Sequence, residues 1–251
     1  MGCMKSERHT ILNMKITVIY DNNSYKAGLE TAWGFSCFIE GTEKTILFDT
    51  GSNPFLLLRN IKCLKIDPEA IDFIFLSHMH WDHTGGLYGI LENNAAVTVF
   101  LLESFSKRYK DDIKKFGTKI VEAGKPVRIY KDVFSTGEIG KSIKEQSLIV
   151  HTNRGSVVIT GCAHPGIVTI IKKAKDIIKD EILLVIGGFH LGAESKTKME
   201  KIISNIRKLS VRYVAPCHCT GENAKQLFQR VYGENSIHAG AGKVININDL
   251  K

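Results

Sequence analysis

The chain has 251 residues, 43% of them hydrophobic and 24% charged, with a formal net charge of +8. A chain this long removes roughly 70–75% of its unfolded surface from water and needs no staples, and its ordinary composition excludes a disordered, collagenous or fibrous class. No stretch approaches 18 uncharged apolar residues, so no membrane span is expected, and the basic excess reads as a soluble lysine-rich surface, a site for anions or nonspecific nucleic-acid binding.

Residues 1–13 carry no apolar signal-peptide core and read as a flexible tail; the match of Gly2 and Ser6 to a myristoylation pattern is a chance-level one. A single domain is expected over 14–251. Alternation and β-branched residues mark strands at 15–20 (KITVIY), 35–40 (FSCFIE) and 45–49 (TILFD), with Gly41 to Lys44 as the turn between the last two. Asp67-Pro68 reads as the cap and first position of a short helical turn. The apolar run DFIFLS at 72–77 suits a buried strand, and about two turns of helix follow Gly85-Gly86. VTVFL at 97–101 is a strand, 103–116 a basic amphipathic helix with Lys107, Arg108 and Lys110 on a solvated face, and 119–135 a set of short strands.

SLIVHT (147–152) and SVVITG (156–161) flank Asn153-Arg154-Gly155, which predicts a hairpin. From there helix and strand alternate: a helix over 166–180, a strand at 181–187, a helix over 196–209, a strand at 211–216 and a last helix near 221–232. The first half is strand-rich, the second alternates, and no linker divides them. The pattern predicts an α+β domain of two sheets packed face to face with helices outside, built of two similar β-then-α halves.

Four ligand-capable side chains fall within six positions of SHMHWDHTGG: His78, His80, Asp82 and His83. In an extended segment His78 and His80 share a side, and Asp82 and His83 then turn into a helix start. Imidazole and carboxylate together suit zinc, and also iron or manganese. Four such groups directly after a buried strand are costly to desolvate without a partner. His164 in TGCAHPG, His190 in GGFHL and His218 in APCHCTG also stand at predicted strand ends, whereas His9, His151 and His238 do not. The six cysteines (3, 37, 63, 162, 217 and 219) read as free thiols of a reducing, cytoplasmic protein. Cys217 and Cys219 flank His218 as a C-x-C that could ligate a soft metal or be redox active; strand alternation points both away from His218, which favours a structural role.

His78-x-His80-x-Asp82-His83, with His164 and His218 later, resembles the metallo-β-lactamase fold family over nearly the whole chain. The resemblance implies an αββα four-layer sandwich with a metal pair on one edge. It implies His78, His80 and His164 on the first metal, and Asp82, His83 and His218 on the second. Asp49 of LFDTG matches the family's strand-end aspartate and is expected to orient the site from behind the ligands. The family's hydrolases carry a bridging aspartate in a Gly-Asp pair; here the matching pair is Gly187-Gly188, and His190 is the nearest substitute, as metal ligand or substrate contact.

GCAHPGI, GGFHL, PCHCTG and GLETAWGFSCFIE are similar to the 7,8-dihydropterin-6-yl-methyl-4-(β-D-ribofuranosyl)aminobenzene 5′-phosphate synthases. That similarity implies a transferase that condenses a dihydropterin diphosphate with an arylamine ribosyl phosphate and releases diphosphate. Asp82 and His190 are its expected catalytic residues; Glu30, Trp33 and His190 are its expected substrate contacts. The expected cofactors are one or two divalent metals per chain, zinc first, manganese or iron as alternatives. The expected partner is a small anionic or phosphorylated heterocycle, with no nucleic acid, no membrane and a homodimer as an open expectation. The alternative activity is a metal-dependent hydrolase of a phosphodiester, lactone or thioester.

Overall fold

The computed structural model describes Ile11 and residues 13–251. Most of the expected tail, with Gly2, Cys3, Ser6 and His9, lies outside the described residues. Within its expected limits, Ile11 packs against the core and Asn13 accepts a hydrogen bond from Asn248 at 3.0 Å.

Two mixed sheets build the chain. In the first, strands β1 (Lys15–Tyr20), β2 (Ser36–Glu40) and β3 (Ile46–Phe48) form an antiparallel meander. Strands β4 (Phe73–Phe75), β5 (Thr98–Leu102) and β6 (Lys119–Ala123) then add in parallel. In the second, β7 (Val127–Tyr130), β8 (Val133–Ser135), β9 (Leu148–Thr152) and β10 (Gly155–Thr160) are antiparallel neighbours. Strands β11 (Ile182–Gly188) and β12 (Tyr213–Cys217) join β10 in parallel. Each sheet therefore starts as a meander and ends as a run of crossovers, as two similar halves require. Strand β13 (Val244–Asn246) returns to pair with β1 and closes the first sheet's edge.

Period-two patterning sends alternate residues to opposite faces, and here both faces are buried. Phe73 and Phe75 of β4 face the inter-sheet core with Phe48, Val157, Ile159 and Ile186. Their neighbours Ile74 and Leu76 pack instead under α1 (Pro54–Cys63), α3 (Leu87–Asn93) and α4 (Lys107–Lys114). On the second sheet Val158, Val185 and Val214 pack under α5 (Ile167–Ile178), α6 (Lys196–Lys208) and α7 (Glu222–Tyr232). The result is the four-layer αββα sandwich. Each buried phenylalanine contributes about 1.5–3 kcal/mol by leaving water, which is why the apolar runs end up central.

The elements form where local chemistry favours them. Helix α1 opens at Asn53, whose side chain accepts from the amides of Phe55 and Leu56, with Pro54 at the first helical position. The expected turn at Asp67-Pro68 is a 3-10 helix over Pro68–Ala70, its Asp67 side chain accepting from Glu69 N. The hairpin at Asn153-Arg154 pairs Thr152 with Gly155. Helix α1 and strand β13 were not anticipated. The Asn53-Pro54 signal for α1 was readable, whereas three residues of β13 acquire a strand identity only from β1. Among the described residues no helix is long and apolar enough to cross a membrane.

Candidate metal centre

One edge of the sandwich collects the carboxyl ends of the parallel strands from both sheets. Asp49 follows β3, His78 follows β4, Cys162 and His164 follow β10, His190 follows β11 and His218 follows β12. Beyond His78, the short helix α2 (Trp81–Thr84) starts after His80 and presents Asp82 and His83. Gly86 lets this segment lie against the β3 loop: a Cβ there would fall 2.1 Å from the Thr50 carbonyl oxygen.

Two clusters hold the histidines and aspartate of the motifs, and a third joins Cys162, His190 and Cys219. His78, His80 and His164 form one, with ligand atoms within 4.8 Å of one another. His80 Nδ1 and His164 Nε2 face each other at 3.2 Å. Asp82, His83, Cys162 and His218 form the other, fully buried, within the same limit. The six histidine and aspartate ligands expected from sequence are thus brought together, and Cys162 joins them.

Hydrogen bonds settle which ring nitrogens carry protons. Ser77 Oγ donates to Asp49 Oδ2 at 2.7 Å, so the 2.9 Å contact between Ser77 Oγ and His78 Nδ1 is donated by the ring. His83 Nδ1 donates to the same Asp49 oxygen at 2.7 Å. His218 Nδ1 donates to Asn22 Oδ1 at 3.0 Å. All three imidazoles therefore aim Nε2 inward, the arrangement by which carboxylates and amides orient metal-binding histidines. His78 Nε2 is buried with no hydrogen-bond partner. An orphaned acceptor of this kind is expensive unless a cation meets it. The residues present fit a divalent metal, and Asp49 sits where it orients His83 directly and His78 through Ser77.

The electrostatics of the His78–His80–His164 cluster agree. Burial, reinforced by neighbouring imidazoles, pushes the His78 pKa well below its ordinary value. Burial also lowers His80, and brings His164 down to about 4 with help from His190 and His80. Neutral imidazoles are what a metal requires. Burial pushes His83 down too, but the Asp49 carboxylate outweighs it and the pKa rises. Burial pushes Asp82 up, yet hydrogen bonding with His218 and the charge of His83 prevail and hold it at about 2.

Sequence reasoning missed the residues that support this edge. Glu145 is buried below the β10 loop. Its Oε1 accepts from Cys162 N, Ala163 N and Thr160 Oγ1 at 2.9–3.0 Å, and its Oε2 from His164 N at 2.8 Å. Asp21 accepts from His218 N at 2.9 Å. Both carboxylates stand far from any motif, and no local signal marks them.

His190 lies at the mouth, its ring 4.5 Å from that of His164. A hydrogen bond with Cys219 raises its pKa. The expectation for the cysteine pair needs correction. Cys217 is buried in the inter-sheet core, but Cys219 groups with Cys162 and His190. Alternation fails here because β12 ends at Cys217 and His218 enters a 3-10 turn with φ 49°. The Cys219 thiol is pulled down to about 4 by its hydrogen bond with Cys162, while that bond and burial push Cys162 up. Trp33 is exposed and stands 5.2 Å, centroid to centroid, from the His218 ring. Glu30 does not turn toward the cluster: its carboxylate pairs with Arg59 and its backbone with the Asn60 side chain.

A four-layer sandwich with His, Asp and Cys side chains gathered on one edge defines the class: the chain belongs to the metallo-β-lactamase superfamily. Residues 34–119 match that superfamily's family model. Over most of its length the chain is similar to the 7,8-dihydropterin-6-methyl-4-(β-D-ribofuranosyl)-aminobenzene-5′-phosphate synthase of Methanocaldococcus jannaschii, 32% identical over 93% of this chain and 96% of the relative. A solved structure described as a metal-dependent hydrolase of the β-lactamase superfamily is 31% identical, with TM-score 0.79 over 92% of this chain and 98% of that one. The metallo-β-lactamase fold protein YhfI of Bacillus subtilis shares the fold at TM-score 0.69 and 15% identity, over 92% and 99% of the two chains.

Proposed function

We propose that this protein is a metal-dependent transferase of the dihydropterin–aminobenzene ribosyl phosphate synthase type, acting in the cytoplasm. The observation that carries the reading is the match to the M. jannaschii synthase, which spans both chains almost end to end. The free thiols of the five described cysteines suit a reducing compartment.

The residues that would hold the metals are His78, His80 and His164 on one side and Asp82, His83 and His218 on the other. Divalent metals held there, zinc first, would supply Lewis acidity toward phosphoryl oxygens and positive charge to offset that of diphosphate. The chain supplies the rest. A groove of about 230 Å³ beside His80 is lined by Ser104, Ser142 and Lys144, groups suited to a phosphate. Trp33 offers a flat face beside His218 for a heterocycle. Asp82 supplies negative charge and fixes His83 and His218. In the reaction the arylamine nitrogen bonds to the pterin methylene carbon as the carbon–oxygen bond to diphosphate breaks. His190 donates a proton toward the leaving oxygen, and the proton lost by the amine restores it.

The test is product analysis with a dihydropterin diphosphate and a ribosyl aminobenzene phosphate. Diphosphate release that requires the amine, with a coupled pterin product, is expected. Release independent of the amine, or none with the metal-loaded protein, overturns the proposal. A second reading, a metal-dependent hydrolase, is favoured by the 31% identical solved structure described as one. It predicts turnover of a phosphodiester, lactone or thioester with water as sole acceptor.

A further inference from the structure

Cys162 is the feature that the sequence motifs and the proposed reaction leave unused. Its Sγ is 3.1 Å from His83 Nε2 and 3.3 Å from His218 Nε2. Asp82 Oδ2 is 3.5 Å from the first of these nitrogens and 3.3 Å from the second. Four donor atoms thus stand around one point with four known edges of 3.1–3.5 Å. Ligands at zinc distances of 2.0–2.3 Å in a tetrahedron are separated by about 3.3–3.7 Å. The Cys162 side chain is 3% exposed, and its amide is held by Glu145. A core cysteine has apolar neighbours; this one faces two imidazole nitrogens.

The opposite side of the pocket explains the need for it. Gly188 stands where the superfamily's hydrolases carry an aspartate. A Cβ at 188 would fall 2.5 Å from the Gly161 carbonyl oxygen and 2.6 Å from Cys219 Sγ. β11 therefore supplies no carboxylate to this pocket, and a side chain at 188 would have to displace backbone and Cys219 to do so.

We infer that Cys162 is a thiolate ligand that completes a closed Asp82–His83–Cys162–His218 metal position, leaving the His78–His80–His164 position as the one with room for exchange. The inference rests on the metal-centre reading and goes beyond its expected ligand set. Two anionic ligands offset the charge of a divalent ion at the closed position, and the sulfur biases it toward zinc rather than manganese. Ligation releases the proton that Cys162 holds without metal. Three neutral histidines at the other position leave a coordination site free, the pattern of catalytic rather than structural zinc.

The experiment replaces the native metal by cobalt(II) in the full-length protein and reads the near-ultraviolet spectrum with the cobalt content. A thiolate-to-cobalt charge-transfer band with two cobalt ions per chain is expected. In Cys162→Ser the band disappears and cobalt falls to one per chain, whereas Cys219→Ser keeps both. Zinc-edge X-ray absorption of the unmutated protein tests the same point without a variant, expecting one sulfur at about 2.3 Å. Two bound ions with neither band nor sulfur neighbour overturn the thiolate inference and leave the metal centre standing. A band that survives in Cys162→Ser overturns the assignment to Cys162. No metal uptake at all sinks both readings.

Discussion

The two ends of the sandwich are made from the same strands and carry left-handed backbone alike, yet they place different chemistry on it. At the ligand end, left-handed backbone falls on Asp49, Ala163, His190 and His218, all within or beside the clusters. At the far end it falls on Lys65 after α1, Asp132 in the β7–β8 turn, Lys179 at the cap of α5 and Ser210 after α6, ordinary turns and helix ends. The far end also has a groove, about 810 Å³, lined by Arg128, His151, Arg154 and Asp180. Its polar groups find partners: His151 Nδ1 meets Asp180 at 3.3 Å and Arg154 donates to Asn248 O at 2.6 Å. The ligand end instead leaves His78 Nε2 unpaired in the interior. A cavity alone therefore does not mark a site. What sets the ligand end apart is that left-handed backbone and an unpaired ring nitrogen stand among clustered His, Asp and Cys donors.

Substitutions at the two ends sharpen this contrast. The largest effect is expected from His80→Ala, which removes a half-buried member of the proposed ligand set from outside the core. Turnover should vanish from steady-state assays while the melting temperature of the metal-free protein changes by no more than about 2–4 °C; retained full rate defeats the ligand assignment. Asp49→Asn keeps the shape but replaces the oxygen that accepts from both Ser77 and His83. Metal titration should show affinity weakened about 10–100-fold.

Chelation comes next. At a free metal concentration near 100 times the dissociation constant, bound metal stabilises by about 2.7 kcal/mol, so stripping it should lower the melting temperature by about 5–11 °C. The stripped protein should then reveal the histidine environment by pH. His78, His80 and His164 resist protonation when folded, whereas the unfolded chain takes up those protons below the ordinary value of 6.5. Their contribution is complete above pH 6.5 and lost as pH falls toward about 4. His83, whose pKa is raised, runs the other way: its contribution is complete below 6.5 and fades as pH rises through its folded value. His190, raised by its hydrogen bond with Cys219, behaves as His83 does, and both contributions are complete below pH 6.5. The three lowered histidines therefore predict a falling melting temperature between pH 6.5 and 4, and a flat profile contradicts the burial of these rings.

Gly188→Asp, which restores the superfamily's carboxylate, should destabilise by about 1–3 kcal/mol in denaturant titration, because the added atoms meet Gly161 and Cys219. A neutral or stabilising outcome means that the loop yields. The smallest effect is expected at the far end. Arg154→Ala should leave turnover unchanged and stability within about 0.5 kcal/mol.

Much of the ligand end was legible because its information is local. His78, His80, Asp82 and His83 lie within six residues, where a strand end and one helical turn decide the direction of every side chain. His164 and His218 were legible as strand exits, since apolar runs mark strands and a sheet aligns their ends. Trp33 was placed near the site by its loop, and the structure sets it beside His218. Glu30, in the same loop, went to Arg59 instead, because an exposed carboxylate takes whichever cation the fold brings.

By itself the sequence determined the layers, the strand ends and the dense half of the candidate ligand cluster, through sterics and apolar periodicity that act over a few residues. Only the tertiary structure decided that Cys162 meets His83 across 79 positions and His218 across 56. It also decided that Glu145 anchors the β10 loop, and that Cys219 turns toward Cys162 rather than into the core. Those contacts have no signature in the local chain. They exist because burying the faces of two sheets forces distant loops onto one edge, and the side chains found there must satisfy one another.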